Sequence, residues 1–95
     1  MLNNNLEKDN DTKLEPAEKK LIALAGAQLS RKYRIEKIHG GSWFNMRLLS
    51  LGFIPGESIM VINRFGNGPI TVNVKGNKVA LGRGAAAKIM VSEMR

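Results

Sequence analysis

The sequence predicts a mostly β domain, a small antiparallel barrel of five or six short strands with one inserted α-helix. Two observations carry this expectation. Ile70, Val72 and Val74 alternate with Thr71 and Asn73, and Val79 and Leu81 resume the same two-residue period beyond a glycine. The other apolar segments are equally short and are separated by glycine, asparagine and proline, and one segment alone combines helical spacing with signals at both ends. Rolling so small a sheet onto itself removes the unpaired edges that it would otherwise expose.

Taken in order, residues 1–19 are polar, Asn-rich and of mixed charge, with no apolar periodicity. Such a segment cannot bury enough surface to offset its ordering entropy, so a flexible tail at 1–19 and a domain at 20–95 are expected. Pro16 ahead of Ala17 to Leu24 has the form of a helix start by propensity. Tyr33 and Ile35 alternate with charged neighbours as in a half-buried strand, and Ile38 is out of phase with them, which implies a bulge or the strand's end. After Gly40-Gly41, Ser42 is placed to cap a helix over about 42–51, with Phe44, Leu48 and Leu51 on one face. Gly52 stands where a left-handed residue ends a helix, and Pro55 forbids continuation.

Ile59-Met60-Val61-Ile62 is apolar at successive positions, which predicts a strand covered on both faces. Phe65 to Pro69 is a turn-rich tip, and Gly76-Asn77 between Lys75 and Lys78 predicts a two-residue hairpin. A helical turn is expected at about 83–88, before Ile89 to Ser92 closes the sheet as its last strand.

Composition narrows the function. The chain of 95 residues has no cysteine, so neither disulfides nor thiolate metal ligation can hold it together. No stretch approaches the ~18 apolar residues of a membrane span, and the start lacks the layout of a signal peptide, so a cytoplasmic protein without direct membrane insertion is expected. The formal charge is +7, unevenly spread: residues 1–20 hold four basic and five acidic residues, while 21–95 hold eleven basic and three acidic, a net of +8. An excess of this sign suits an acidic partner.

His39 is the single histidine, and Glu36, Glu57 and Glu93 are the acidic residues beyond position 20, so no catalytic triad or carboxylate pair is indicated and no catalytic residue is assigned. Glu36 and His39 lie three apart, short of the three or four ligands of a dedicated metal site. No cofactor and no metal site is expected, beyond weak surface binding of a divalent cation. The Gly66-x-Gly68 and Gly82-x-Gly84 pairs lack the Lys-Ser/Thr of a phosphate loop and read as turns. Stacking aromatics amid basic residues would suit nucleic acid, but Tyr33 and Phe44 fall at core positions and Phe53 follows the helix as a plug. Only Trp43 and Phe65 face outward, which argues against a nucleic-acid platform.

Binding to another protein is the reading these residues support. The helix carries Trp43, Met46 and Leu49 outside its core face, more apolar surface than one stripe can bury. Arg47 and Arg64 are placed to flank such a patch, so Trp43, Met46, Arg47, Leu49, Arg64 and Phe65 are the partner-binding candidates.

The run Arg47-Leu48-Leu49-Ser50-Leu51-Gly52-Phe53-Ile54-Pro55-Gly56 resembles the R-L-x-x-L-G-φ-x-P-G signature of the FeoA family, φ being apolar. Gly68-Pro69-Ile70-Thr71-Val72 and Val74-Lys75-Gly76 followed by Val79-Ala80-Leu81-Gly82-Arg83 resemble its later steps in the same order. The signature positions Arg47, Leu48, Leu51, Gly52, Pro55, Gly56, Gly76 and Leu81 are expected to be mainly structural. The resemblance implies an SH3-like barrel with a first short strand near Leu21 to Leu24. It further implies a cytoplasmic accessory of the FeoB ferrous iron transporter. The same barrel forms the last domain of iron-dependent repressors, where it can lend metal ligands; their helix-turn-helix has no counterpart here, which implies the free-standing form. Where the family has a glycine between its first two strands, this chain has Gln28-Leu29-Ser30.

Overall fold

The computed structural model describes residues 20–94, so the tail expected at 1–19 lies outside the described residues. In chain order the elements are β1 (Ile22–Ala23), a 3-10 turn (Leu24–Gly26), β2 (Lys32–Ile38), α1 (Ser42–Ser50), β3 (Ser58–Arg64), β4 (Ile70–Val74), β5 (Asn77–Leu81), α2 (Arg83–Ala86) and β6 (Ile89–Glu93). The strands form one antiparallel six-stranded sheet in the order β1-β6-β2-β3-β4-β5.

The residues that face inward are those that alternation singles out. Tyr33 and Ile35 of β2, Ile59 and Val61 of β3, Ile70, Val72 and Val74 of β4, Leu81 of β5, and Ile89 and Val91 of β6 are buried in one cluster. With only a nine-residue helix and a four-residue helical turn among the described residues to cover it, the sheet's buried face is covered largely by its own strands. Two register breaks assist the bend, one between Ile35 and Lys37 on β2 and one between Val61 and Asn63 on β3. The first is the bulge implied by Ile38, which returns to the inner side and packs on the core. Leu24, Ala27, Leu48, Phe53 and Ala86 close the cluster from the 3-10 turn, the two helices and the loop after α1.

The ten residues that include the signature have a specific geometric content. Leu51 caps α1 at φ −93°, and Gly52 follows at φ +101°, a left-handed conformation that costs a residue with a Cβ. The Gly52 N–H donates to Leu49 O at 3.0 Å and the Phe53 N–H to Leu48 O at 3.0 Å, the paired bonds of a Schellman cap. Its usual hydrophobic contact is present as Phe53 and Leu48, both buried. Next, Ile54-Pro55-Gly56-Glu57 is a turn closed by Glu57 N–H to Ile54 O at 2.9 Å. Proline at its second position and Gly56 at φ +98° at its third give type II geometry. The signature therefore encodes a helix stop, a plug and a reversal into β3.

Several expectations are corrected. Ser42 is the first helical residue and not the cap; Gly41, extended at φ −75°, takes that place and no side chain caps α1. The expected anchor Leu51 is 38% exposed, because the chain turns away after Ser50, and Phe53 fills the core position instead. Ile54, the apolar residue between Phe53 and Pro55, is exposed. Met60 and Ile62 are half-buried on the outer side, so β3 is fully covered on one face only. The β4–β5 hairpin turns on Lys75-Gly76 and not Gly76-Asn77, since Asn77 already pairs with Val74. Lys75 and Gly76 have φ +50° and +79°, positive at both positions as a type I′ turn demands. Near the start, by contrast, β1 at Ile22–Ala23 is the short strand that the resemblance implies near Leu21 to Leu24, and a 3-10 turn follows it; the helix start at Pro16 lies outside the described residues.

Ser30, in the Gln28-Leu29-Ser30 stretch where the resemblance leads one to expect a glycine, has φ +63°, and its N–H donates to Val61 O at 2.9 Å. Substituting the two left-handed positions in opposite directions should shift stability with opposite signs. Gly52→Ala is expected to lower unfolding free energy by about 1–2 kcal/mol. The new Cβ would meet Lys75 at 3.5 Å, an ordinary contact, so the cost is in the backbone. Ser30→Gly is expected to raise stability by about 0.5 kcal/mol, the relief of left-handed strain less the greater entropy of glycine when unfolded. Urea denaturation of the three proteins checks both.

Candidate interaction site

Helix α1 presents two apolar faces. Leu48 is buried and Phe44 half-buried on the inner side, where the Lys88 ammonium lies 5.1 Å from the Phe44 ring centroid. The outer side carries Trp43, Met46, Arg47 and Ser50, at i, i+3, i+4 and i+7, which with Ser42 line one shallow groove. Trp43 is 71% and Met46 67% exposed, and Leu49 is exposed beside them. The Arg47 guanidinium lies 5.8 Å from the Trp43 ring centroid, a cation–π distance that holds the indole and the charge together. In this position Arg47 is a surface residue, although it belongs to the signature.

The site candidates do not all converge. Arg64, at the end of β3, donates from its guanidinium to the backbone carbonyls of Ala25, at 2.8 Å, and Ala27. It ties β3 to the 3-10 turn and the residue that follows it. Sequence alone did not reveal this, since the contact spans nearly forty residues and its acceptors are carbonyls, which no residue type marks. Phe65 is 61% exposed at the β3–β4 turn, and neither it nor Arg64 lines the groove on α1. The site that assembles is Trp43, Met46 and Arg47, with Leu49 next to it.

His39 is exposed just after β2, and its backbone N–H donates to Lys88 O at 2.7 Å. Glu36, at the β2 bulge, accepts the Ser92 hydroxyl. Among the described residues no three His, Asp or Glu side chains gather in a group that could hold a metal ion. No described helix is long and apolar enough to cross a membrane.

Comparison with known proteins adds a family to this geometry. Residues 22–93 match the FeoA domain, from β1 to the last residue of β6. The chain belongs to the FeoA domain family. A relative from Methanocaldococcus jannaschii, provisionally named Fe(2+) transport protein A, is 40% identical over 73 residues, covering 77% of this chain and 88% of the relative. The crystal structure of an iron uptake regulatory protein (FeoA) superposes with a TM-score of 0.74 at 31% identity, over 79% of this chain and all of that one. A manganese-dependent transcriptional repressor also superposes, with a TM-score of 0.74 at 19% identity. It covers 90% of this chain but 48% of the repressor, a likeness of fold alone. The SH3-like FeoA fold expected from the signature is the fold observed.

Within this FeoA domain the two arginines should separate experimentally. Arg64→Ala leaves the Ala25 and Ala27 carbonyls without their charged donor and is expected to destabilise by about 1–2 kcal/mol. Arg47→Ala removes only a surface side chain and should stay within about 0.5 kcal/mol. Parallel thermal or urea unfolding measures the difference.

Proposed function

We propose that the protein is a non-enzymatic, cytoplasmic accessory of ferrous iron uptake that binds a FeoB-type transporter through the outer face of α1. Membership of the FeoA family and the likeness to an iron uptake regulatory protein support the connection with iron transport. The single observation that supports the docking face is the exposed Trp43 with Arg47 over its ring and Met46 alongside. Tryptophan, arginine and methionine are the residue types enriched where protein interfaces bury their centres. The partner surface that suits them is an apolar pocket with a carboxylate at its edge, able to take the indole and pair with the guanidinium. Iron enters this reading as the transporter's cargo.

Titration against the transporter's soluble GTPase region and against the whole transporter in detergent tests the proposal. Trp43→Ala is expected to weaken binding by tenfold or more, roughly 1.4 kcal/mol. Its unfolding free energy should stay within about 0.5 kcal/mol of the parent, because the indole is exposed. Absence of binding to both targets at ~100 μM, equivalent to about −5.5 kcal/mol, overturns the reading.

A further inference from the structure

The outer face of the sheet, which the docking face on α1 does not use, carries its own pattern. Lys32 and Arg34 alternate with the buried Tyr33 and Ile35, so both project outward from β2. The bulge at Glu36 shifts the register so that Lys37 pairs with the outward Met90 and joins them. Pairing across the sheet sets Lys32 opposite Met60, Met60 opposite Asn73, and Asn73 opposite Lys78. One row therefore runs over four strands with a lysine at each end, about 14 Å apart at the usual strand spacing. Lys75 lines a shallow groove with Lys32, Ser58, Met60 and Asn73 on the same side.

Five exposed cations thus share this surface with two acidic residues, a net of three positive charges. Glu57 lies 3.7 Å from Lys75, and Glu36 accepts the Ser92 hydroxyl. We infer that this outer sheet face is a peripheral binding surface for anionic phospholipid headgroups.

The composition of the face chooses the ligand. Four of its five cations are lysine, the residue depleted at protein–protein interfaces, where arginine is preferred. Its large apolar residues Met60, Ile62 and Met90 are all half-buried, so the face offers no exposed aromatic or large aliphatic anchor for a protein hot spot. Trp43 and Phe65, the strongly exposed aromatics, lie on α1 and at the β3–β4 turn, so bases of a single strand would find no stacking partner among these lysines. A bilayer surface requires none of these features. It requires flexible point charges spread over an area, each worth about fivefold in partitioning near an anionic leaflet.

Vesicle co-sedimentation of the full chain, with no transporter present, tests this independently of the proposed docking. Binding is expected to phosphatidylcholine vesicles containing about 30% phosphatidylglycerol and not to phosphatidylcholine alone, and to be lost when salt is raised from about 0.05 to 0.5 M. The Lys32→Ala/Lys78→Ala variant should partition about 25-fold more weakly, whereas Lys32→Arg/Lys78→Arg and Trp43→Ala should match the parent. Circular dichroism establishes that each variant is folded. Equal binding to neutral vesicles overturns the inference, as does no binding to anionic ones. So does tighter binding of a single-stranded oligonucleotide than of anionic vesicles at the same salt, or a Lys32→Ala/Lys78→Ala variant that folds and binds unchanged.

Discussion

The burial of Phe53 against Leu48 is the constraint on which the arrangement depends. Both side chains enter the core from the end of α1, where the backbone has to stop being helical and reverse. The left-handed Gly52 makes that stop, and Pro55-Gly56 turns the chain into β3. Fully burying two large apolar side chains contributes several kcal/mol, a large share of the stability of a domain this size. With Leu48 as its single fully buried residue, α1 lies on the core along a narrow line. Its opposite side is left in solvent, and that side carries Trp43 and Met46.

The sheet distributes its residues by the same logic of inside and outside. Every strand longer than two residues has a side turned to the common core, and the chain has no cysteine with which a disulfide could assist. The core consists mainly of valine, isoleucine and leucine, whose branched shapes suit a tightly curved pleated surface. Bulges at Glu36 and Ile62 bend the two longest strands where the curl is needed. The first bulge has a further effect, for without it Lys37 and Ile38 would exchange faces. A device that helps bend the sheet thus also keeps a cation on the outside.

The alternation in β2, β4 and β5 was legible in the sequence because burial on one face leaves a two-residue period. The end of α1 was legible too, since glycine and proline mark backbone states that few other residues adopt. The start of α1 was not. Ser42 is a favourable cap by type, yet the extended Gly41 precedes it and the helix begins one residue early. The hairpin turn was misplaced by one residue because Lys75 adopts a positive φ that lysine seldom takes, and only the pairing of Val74 with Asn77 reveals it. Of the partner-binding candidates, those on α1 share one helix and assemble from spacing alone. Arg64 stands apart from them because its guanidinium is held by carbonyls distant in sequence, and the lysine row was invisible because cross-strand neighbours depend on register.

The two proposed surfaces differ in the range over which they act. The outer sheet face carries most of its charge on lysine and works through a field that extends about 8 Å in physiological salt, without fitting any particular shape. The face of α1 has one exposed charge among apolar side chains, and such surfaces act only on contact, where shape and desolvation decide. They share no residue, so occupying one consumes none of the other's side chains. On these readings a weak, reversible adsorption to the leaflet would raise the local concentration of the protein around a membrane-embedded transporter. A short α1 stripe then need supply only modest affinity, because the second contact is made at an effective concentration set by the first. That coupling gives a physical reason for a domain this small to carry so large an excess of positive charge away from its exposed tryptophan.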